Sequence, residues 1–467
     1  MTSQLTVALL AQAIGSAFAV GALLLLILTL LPASRPIARQ LWPVLASEAA
    51  ILAAGVLPWL LPPMALLAVL LIAAARIGYE SGSVHGLTAG ASFSLSHALL
   101  LAAVASAAPE PKFRPQEIGQ IEIGYGLAIA DVDGDGKKDI VLADKTTIQW
   151  YQNPSWKKHV IAENLTKEDN VCVAAQDLDG DGKAEIAVGA GWNPGDTVKS
   201  GAVFYLIPPA DRTQKWEAVK LHHEPTVHRM AWVEVATGRW DLVVQPLHGV
   251  GNKAGVGAGA KLLAYRKPAN PKDEWKTEVA NDVSHITHNL EAVRWDRSAR
   301  QQILTGSKEG IWLNSYADGK WSQTQLTKEP VGELRAGKLP SGAMIATVEP
   351  FHGTKSAVYT RDAGGVWQRQ QILDGYKDGH AVACADFLGT GSDQVMIGWR
   401  GAKPTERGIR LLTPLDDAGQ TWRTDVISTE AIAVEDFKAA DLDGDGKTDL
   451  IVAGRHTKNL MIFWNAR

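Results

Sequence analysis

One acidic turn, written three times, constrains this chain more than anything else in it. GLAIADVDGDGKKD ends at Asp139, VAAQDLDGDGKAE at Glu185 and FKAADLDGDGKTD at Asp449; the same frame recurs, short of most of its acids, in DGHAVACADFLGTGSD from Asp378 to Asp393. A second marker keeps the same beat. Trp156, Trp216, Trp275, Trp321, Trp367 and Trp422 each open a short strand-like stretch such as WKKHVI or WRTDVI, at intervals from 46 residues (Trp321 to Trp367) to 60 (Trp156 to Trp216). Periods in this range mean one supersecondary unit repeated many times. Between the tryptophans, alternating apolar runs separated by Gly/Asp turns, as in LAIADVDGDGKKDIVLAD followed by TIQWYQ, describe a four-stranded antiparallel unit.

The first strand of each unit starts near Tyr125, Val171, His228, His288, Gly332, His380 and Glu435, which makes seven, whereas the tryptophan strand occurs six times. FRPQEI, Phe113 to Ile118, repeats the spacing of WKKHVI with Phe for Trp, so it is expected to supply the missing strand of the last unit. Ring closure removes the sheet edges an open array would expose. The expectation is an all-β domain, residues 109–467, folded as a seven-bladed β-propeller closed by its N-terminal strand.

Residues 1–108 are different material. Every lysine lies at or beyond Lys112, and the first 108 residues hold apolar runs from Leu5 to Leu31, from about Ala49 to Ala75 and from about Ala89 to Ala108. The first two exceed the ~20 residues that cross a bilayer and are expected as transmembrane helices, the second kinked around Pro58, Pro62 and Pro63. The third, ending HALLLAAVASAAPEP, is either a third span or a signal-like segment with Ala105 and Ala107 at its cleavage site. Arg35 and Arg39 pull the orientation one way and Arg76 the other. The A-x-A ending and the calcium chemistry below favour a propeller outside the cytoplasm, in the periplasm or at the cell surface, with the membrane as partner. A balance of 46 basic against 50 acidic residues argues against nucleic acid as another. Nothing in the sequence sets an oligomeric state. Cys172 and Cys384, on inner strands of distant blades, are expected as buried thiols.

In the complete turns the acids occupy positions 1, 3, 5 and 9: Asp131, Asp133, Asp135 and Asp139; Asp177, Asp179, Asp181 and Glu185; Asp441, Asp443, Asp445 and Asp449. Carboxylates so placed on a glycine-bearing turn converge on one hard cation, so structural Ca²⁺ is expected. The alternative is a set of Asx turns satisfied by their own backbone.

Six residues ahead of the first acid, at the opposite end of each inner strand, stand Tyr125, Val171, His228, His288, Gly332 followed by Glu333, His380 and Glu435. The end of the next strand returns to the same face with Trp192, His248, Lys308, His352, Trp399 beside Arg400, and Arg455 beside His456. Five of the twelve histidines fall in these two frames. They are expected to line one solvent-exposed mouth, with His228, His288 and His380 as catalytic groups. Tyr125, Trp192, His248, Glu333, His352, Trp399, Arg400, Glu435 and Arg455 would contact substrate, the two indoles offering faces for a sugar ring. His159, His222 and His223 are expected on the outer surface, while His285 points either into the mouth or away. Neutral imidazole is a base near neutral pH, guanidinium stabilises an oxyanion, and imidazoles with Glu435 would hold Zn²⁺ or another divalent transition metal.

The strand, D-x-D-G-D-G-x-x-[DE], strand unit resembles the FG-GAP or VCBS repeat family over residues 113–467. More narrowly, HRMAW, PLHG, SHITHN, EPFHG, GHAVAC and AGRHTKN resemble the propeller domain of aldos-2-ulose dehydratase and its bacterial relatives. That resemblance implies a lyase for keto-sugars or 3-keto-glycosides. A base would take the proton alpha to the carbonyl, metal or arginine would hold the enediolate, and an acid would protonate the leaving oxygen. The alternative is a non-catalytic, membrane-tethered propeller that binds carbohydrate or a partner protein. No nucleophile elbow, phosphate loop, dinucleotide fingerprint or H-E-x-x-H helix is present, which leaves hydrolase, kinase and oxidoreductase chemistry without residues to carry it. A glycosidase built on two of Glu333, Glu349 and Glu435 stays open, since no spacing selects the pair.

Overall fold

The computed structural model describes residues 109–295, 298 and 300–467. The expected helices of residues 1–108 lie outside the described residues, and among the described residues no helix is long and apolar enough to cross a membrane. Among the described residues, twenty-eight strands, β1 to β28 in chain order, form seven four-stranded antiparallel sheets. Innermost in each are β2 (Gly126–Ala130), β6 (Cys172–Gln176), β10 (Val227–Ala236), β14 (Thr287–Val293), β18 (Leu334–Leu339), β22 (Gly379–Ala385) and β26 (Val434–Ala440). Each packs against the next, and β26 packs back on β2, so the inner strands make a closed ring.

In six blades the strands follow chain order from the inside out. The seventh runs β26, β27 (Asp449–Gly454), β28 (Asn459–Asn465), and then β1 (Phe113–Gln120), paired from Phe113 opposite Asn465 to Gln120 opposite Asn459. The closing strand is therefore the one expected from its tryptophan-like spacing. Phe113 sits edge-on to Phe387 at 6.2 Å, which ties the seventh blade to the sixth. Pro115 lacks an amide donor and is tolerated because β1 is outermost.

The second strands, such as β3 (Asp139–Ala143), β7 (Glu185–Ala190) and β27, are buried along their whole length, because each blade is covered on both faces by its neighbours. Their sequences accordingly read as unbroken apolar runs. Full burial of a side chain such as Ile140 or Leu142 contributes about 1.5–3 kcal/mol. The marker tryptophans seal the outer turns. Trp216 and Trp275 are buried, and each donates its indole N–H to a carbonyl four residues back, Arg212 O at 3.1 Å and Pro271 O at 2.9 Å.

Both cysteines are free thiols, Cys172 buried and Cys384 partly so. His222 is exposed and His223 half-buried. His159 corrects the surface expectation: on β5 (Lys157–Glu163) it faces Trp150 across the strand pair and stacks on it at 4.8 Å, buried. The alternation that exposes Lys158 turns the next side chain inward.

Candidate functional site

The inner strands start, and the second strands end, on one face of the ring, and their side chains there join hands around the axis. Trp192 stacks on His228 at 5.0 Å, and His228 meets His288 edge-on at 4.8 Å. His288 Nε2 lies 2.7 Å from His352 Nε2, whose Nδ1 accepts from Arg400 at 3.2 Å. Arg400 also donates to Asp378 at 3.1 Å and to Glu435. Glu435 accepts from Arg455 at 3.0 Å; Arg455 lies over the Tyr125 ring, and the Tyr125 hydroxyl donates to Asp169 at 3.1 Å. The Asp169 carbonyl accepts the Trp192 amide at 2.9 Å, which closes the circle.

This ring differs from the expected open mouth. His228, His288, His380, Glu333 and Glu435 are all buried. His352 and Asp378 stand at the rim, with 40% and 38% of their side chains exposed, and Arg455 follows at 30%.

Three imidazoles converge. Ligand nitrogens of His288, His352 and His380 all lie within 4.8 Å of one another. His288 presents Nδ1 to Glu333 Oε1 at 3.0 Å, and Asn289 donates to the other Glu333 oxygen. His380 donates from Nδ1 to the Glu435 carbonyl at 2.6 Å. Two of the three rings thus have a carboxylate or carbonyl oxygen behind Nδ1, while His288 Nε2 meets His352 Nε2 across the cluster. A carboxylate or carbonyl behind the imidazole is how metal-ligating histidines are oriented, so His288 and His380 fit a borderline divalent metal as they stand, whereas His352, which accepts from Arg400 at Nδ1, would have to release that guanidinium to offer Nε2.

Burial keeps the histidines neutral. His228 and His380 are pushed well below the ordinary imidazole range by burial, and then by Arg229 and Arg400 respectively. His288 and His352 are lowered too, again first by desolvation. Burial alone would raise the Glu333 carboxyl, but the His288 contact, with Arg229 and Arg335 behind it, holds it low and ionised. Burial pushes the Tyr125 phenol up to about 12.

Not every expected residue reaches the ring. Trp399 is the clearest correction: it is buried between the fifth and sixth blades, stacked on Tyr376 at 5.2 Å with Arg410 over its ring. Neighbours on a strand point to opposite faces, so Arg400 at the axis obliges Trp399 to face the core, where it offers no free face to a sugar. His248 is held through its backbone by Thr226, and its Nδ1 is buried without a protein partner. His285 pairs with Glu309 at 2.9 Å instead of entering the cluster. Four residues went unread in the sequence: Asp169, Arg229, Asn289 and Asp378. Arg229 and Asn289 each follow a frame histidine by one position, which is the signal that would have found them.

At the opposite end of the inner strands the acidic turns are gathered as their spacing requires. Oxygens of Asp131, Asp133 and Asp139 lie within 4.8 Å of one another, as do those of Asp177, Asp179 and Glu185, and of Asp441, Asp443 and Asp445. The remaining acids are placed differently: Asp135 pairs with Lys137 at 2.7 Å, Asp181 accepts the Lys183 amide, and Asp449 accepts the Leu442 and Asn465 amides. Gly134 and Gly136 take φ of 84° and 86°, the left-handed region that such a turn needs. The carboxylate geometry suits a hard cation.

Comparison with known proteins follows the same division. Residues 131–188 match the FG-GAP-like repeat, residues 173–206 the FG-GAP repeat, and residues 200–362 the aldos-2-ulose dehydratase β-propeller domain. Aldos-2-ulose dehydratase of Phanerodontia chrysosporium is 26% identical over 328 residues, covering 61% of this chain and 35% of its own. The chain thus spans about a third of the length of that relative. A solved structure of BBS1N in complex with ARL6DN overlaps 77% of this chain and 98% of its own, with a TM-score of 0.48 and 16% identity. The described chain is thus a seven-bladed β-propeller that carries FG-GAP repeats over residues 131–206 and is similar, over residues 200–362, to the propeller domain of aldos-2-ulose dehydratase.

Proposed function

We propose that this protein is a lyase that eliminates water or a sugar substituent from keto-sugars or 3-keto-glycosides at the histidine ring. The observation that carries the proposal is the convergence of His288, His352 and His380 within 4.8 Å, with Glu333 and the Glu435 carbonyl behind two of them. These three imidazoles would hold Zn²⁺ or a similar divalent ion, which when bound supplies the positive charge that polarises a carbonyl. The rim supplies the rest. Asp378 is the exposed carboxylate beside the site, placed to take the proton alpha to the carbonyl. Arg400, fixed by Asp378 and Glu435, faces the developing oxyanion. Once it has taken that proton, the Asp378 carboxyl can return it to the leaving oxygen, so one rim group serves both steps and the proton count closes.

In the same proposal Ca²⁺ occupies the turns of the first, second and seventh blades as a structural ion, and residues 1–108 tether the propeller at the membrane on its extracytoplasmic side. Support for the sugar substrate comes from the similarity to aldos-2-ulose dehydratase.

The test is metal analysis of the full chain after calcium exchange, together with turnover of a panel of keto-sugars and 3-keto-glycosides. His380→Ala and Asp378→Asn should each lower turnover on the order of 10²-fold or more, and His222→Ala, on the exposed outer surface, should not. Because His380 is buried, melting curves must show that its variant folds; rim-exposed Asp378 carries the test if it does not. One transition-metal ion per chain with these losses supports the lyase. No bound transition metal and no turnover across the panel leaves a binding propeller for carbohydrate or a partner protein.

A further inference from the structure

Behind the histidine ring the propeller axis is not filled. A cavity of about 310 Å³ runs along β2, β6, β10 and β14 and reaches Arg335 of β18 and Asp436 and Lys438 of β26. Its wall is divided. Three residues into the strand frame, the first three blades present Ala128, Ala174 and Ala231, whereas the fourth, fifth and seventh present Glu291, Arg335 and Lys438. One side is therefore smooth and apolar, and the other is charged.

Most of these charges are already matched. Lys438 donates to Asp436 at 2.8 Å, and Arg229 is drawn to Glu333 at 3.6 Å. Arg335 and Glu291 are held more loosely: among the described residues no ion pair within 4 Å joins either to another group, although each lies in the other's field from the adjacent blade. Arg335 makes one hydrogen bond, to the Leu334 carbonyl at 2.6 Å, and Glu291 accepts one, from the Ala336 amide at 2.6 Å. Both side chains line the cavity, and four guanidinium N–H groups and one carboxylate oxygen have no protein partner among the described residues. Both side chains keep access to solvent through the cavity, so a ligand that accepts from Arg335 and donates to Glu291 together can take the place of water there.

A hydroxyl group does both, and adjacent hydroxyls on one carbon skeleton span two such partners. The charges lining the wall, with Glu333 counted against Arg229, sum to zero, which disfavours an ionic occupant. The alanine side suits the C–H face of a ring, and the volume lies at the small end of ligand pockets, about 300 Å³ and upward. We infer that the axial cavity is a second, non-catalytic site for one neutral, hydroxyl-rich molecule of monosaccharide size, held between Arg335 and Glu291. It uses none of the imidazoles, so it stands whether or not the ring above it is a lyase.

The probes are D-glucose, myo-inositol and, as the charged counterpart, D-glucuronate, titrated onto the full chain by ligand-observed NMR. Saturable one-to-one binding of a neutral probe is expected, with glucuronate weaker by about tenfold. Arg335→Ala should weaken the neutral probe by tenfold or more and Glu291→Gln by several-fold. Ala174→Val, which leaves every polar group in place and takes up cavity space, should abolish binding, whereas His380→Ala in the ring should leave it intact. The inference is overturned if no neutral probe saturates, meaning that the cavity holds only water. It is equally overturned if Ala174→Val binds as well as the parent, or if binding disappears with His380→Ala while that variant still melts cooperatively.

Discussion

In the first blade the ninth-position acid, Asp139, accepts the Val132 and Asn153 amides at 2.8 Å, and in the seventh Asp449 does the same for Leu442 and Asn465. The sixth blade has Gln394 in that place. Its Oε1 accepts the Leu388 amide at 2.8 Å and its Nε2 donates to Ser392 O at 2.7 Å and Thr390 Oγ1 at 3.0 Å. The first-position acid is shared: Asp386 accepts the Thr390 and Gly391 amides, just as Asp131 accepts those of Gly134 and Gly136. One acid and one neutral amide are thus enough to build this hairpin. The extra carboxylates of the other three turns accept further amides of their own backbone, as Asp133 does from Asp135 and Asp135 from Lys137, and at this spacing they repel one another. The sixth blade is the internal control for the proposal that the others take calcium.

The largest effect should come from removing that cation. A ligand bound only by the folded state stabilises it by about 2.7 kcal/mol per site at a hundredfold excess over Kd, so chelation should lower the melting temperature by several degrees and calcium should restore it. Superimposable melts would mean that the acidic turns behave like the amide turn, and the contrast between them would carry no chemistry. A smaller effect sharpens the comparison blade by blade. Gln394→Ala leaves the buried Leu388 amide unpaired and should cost about 1–3 kcal/mol, equally in calcium and in chelator. Asp133→Asn should destabilise in calcium and change little in chelator. If both variants respond alike to calcium, the two kinds of turn are not distinct.

The smallest effect calibrates the rest. Burial, and then Lys157, lowers the His159 pKa below its ordinary 6.5, so the fold prefers the neutral ring while the unfolded chain takes up a proton first as pH falls. The contribution of His159 to stability is intact above 6.5 and declines below it. Acid melts of the calcium-loaded protein should therefore fall off less steeply for His159→Phe than for the parent. An unchanged slope would assign the whole acid loss elsewhere, including to protonation of the turns.

The blades, the closing strand and the convergence of His228, His288, His352 and His380 were legible in the sequence, because each is written in a repeated frame. The failures share a physical cause. Trp399 and Arg400 are adjacent, and only the alternation of the strand says which one the axis receives. His159 was assigned to a surface because its strand is outermost, yet outer strands also have an inward face. Asp169 and Asp378 lie in connections whose lengths vary from blade to blade, so no frame marks them. The burial of the ring depends on which partner each side chain reaches across a blade boundary, and that information is three-dimensional.

The pairing of β1 with β28 has a consequence in time. Gln116 and Trp464 meet across 348 residues of chain, so at a synthesis rate of about 5–20 residues per second the first strand waits roughly 20 to 70 s for its partner to exist. Throughout that interval FRPQEIGQ is a lone strand in a crowded cell. Its proline, its two charges and its largely exposed outer side chains are what keep it from pairing with the wrong neighbour, so the segment that completes the ring must first be a poor partner for everything else.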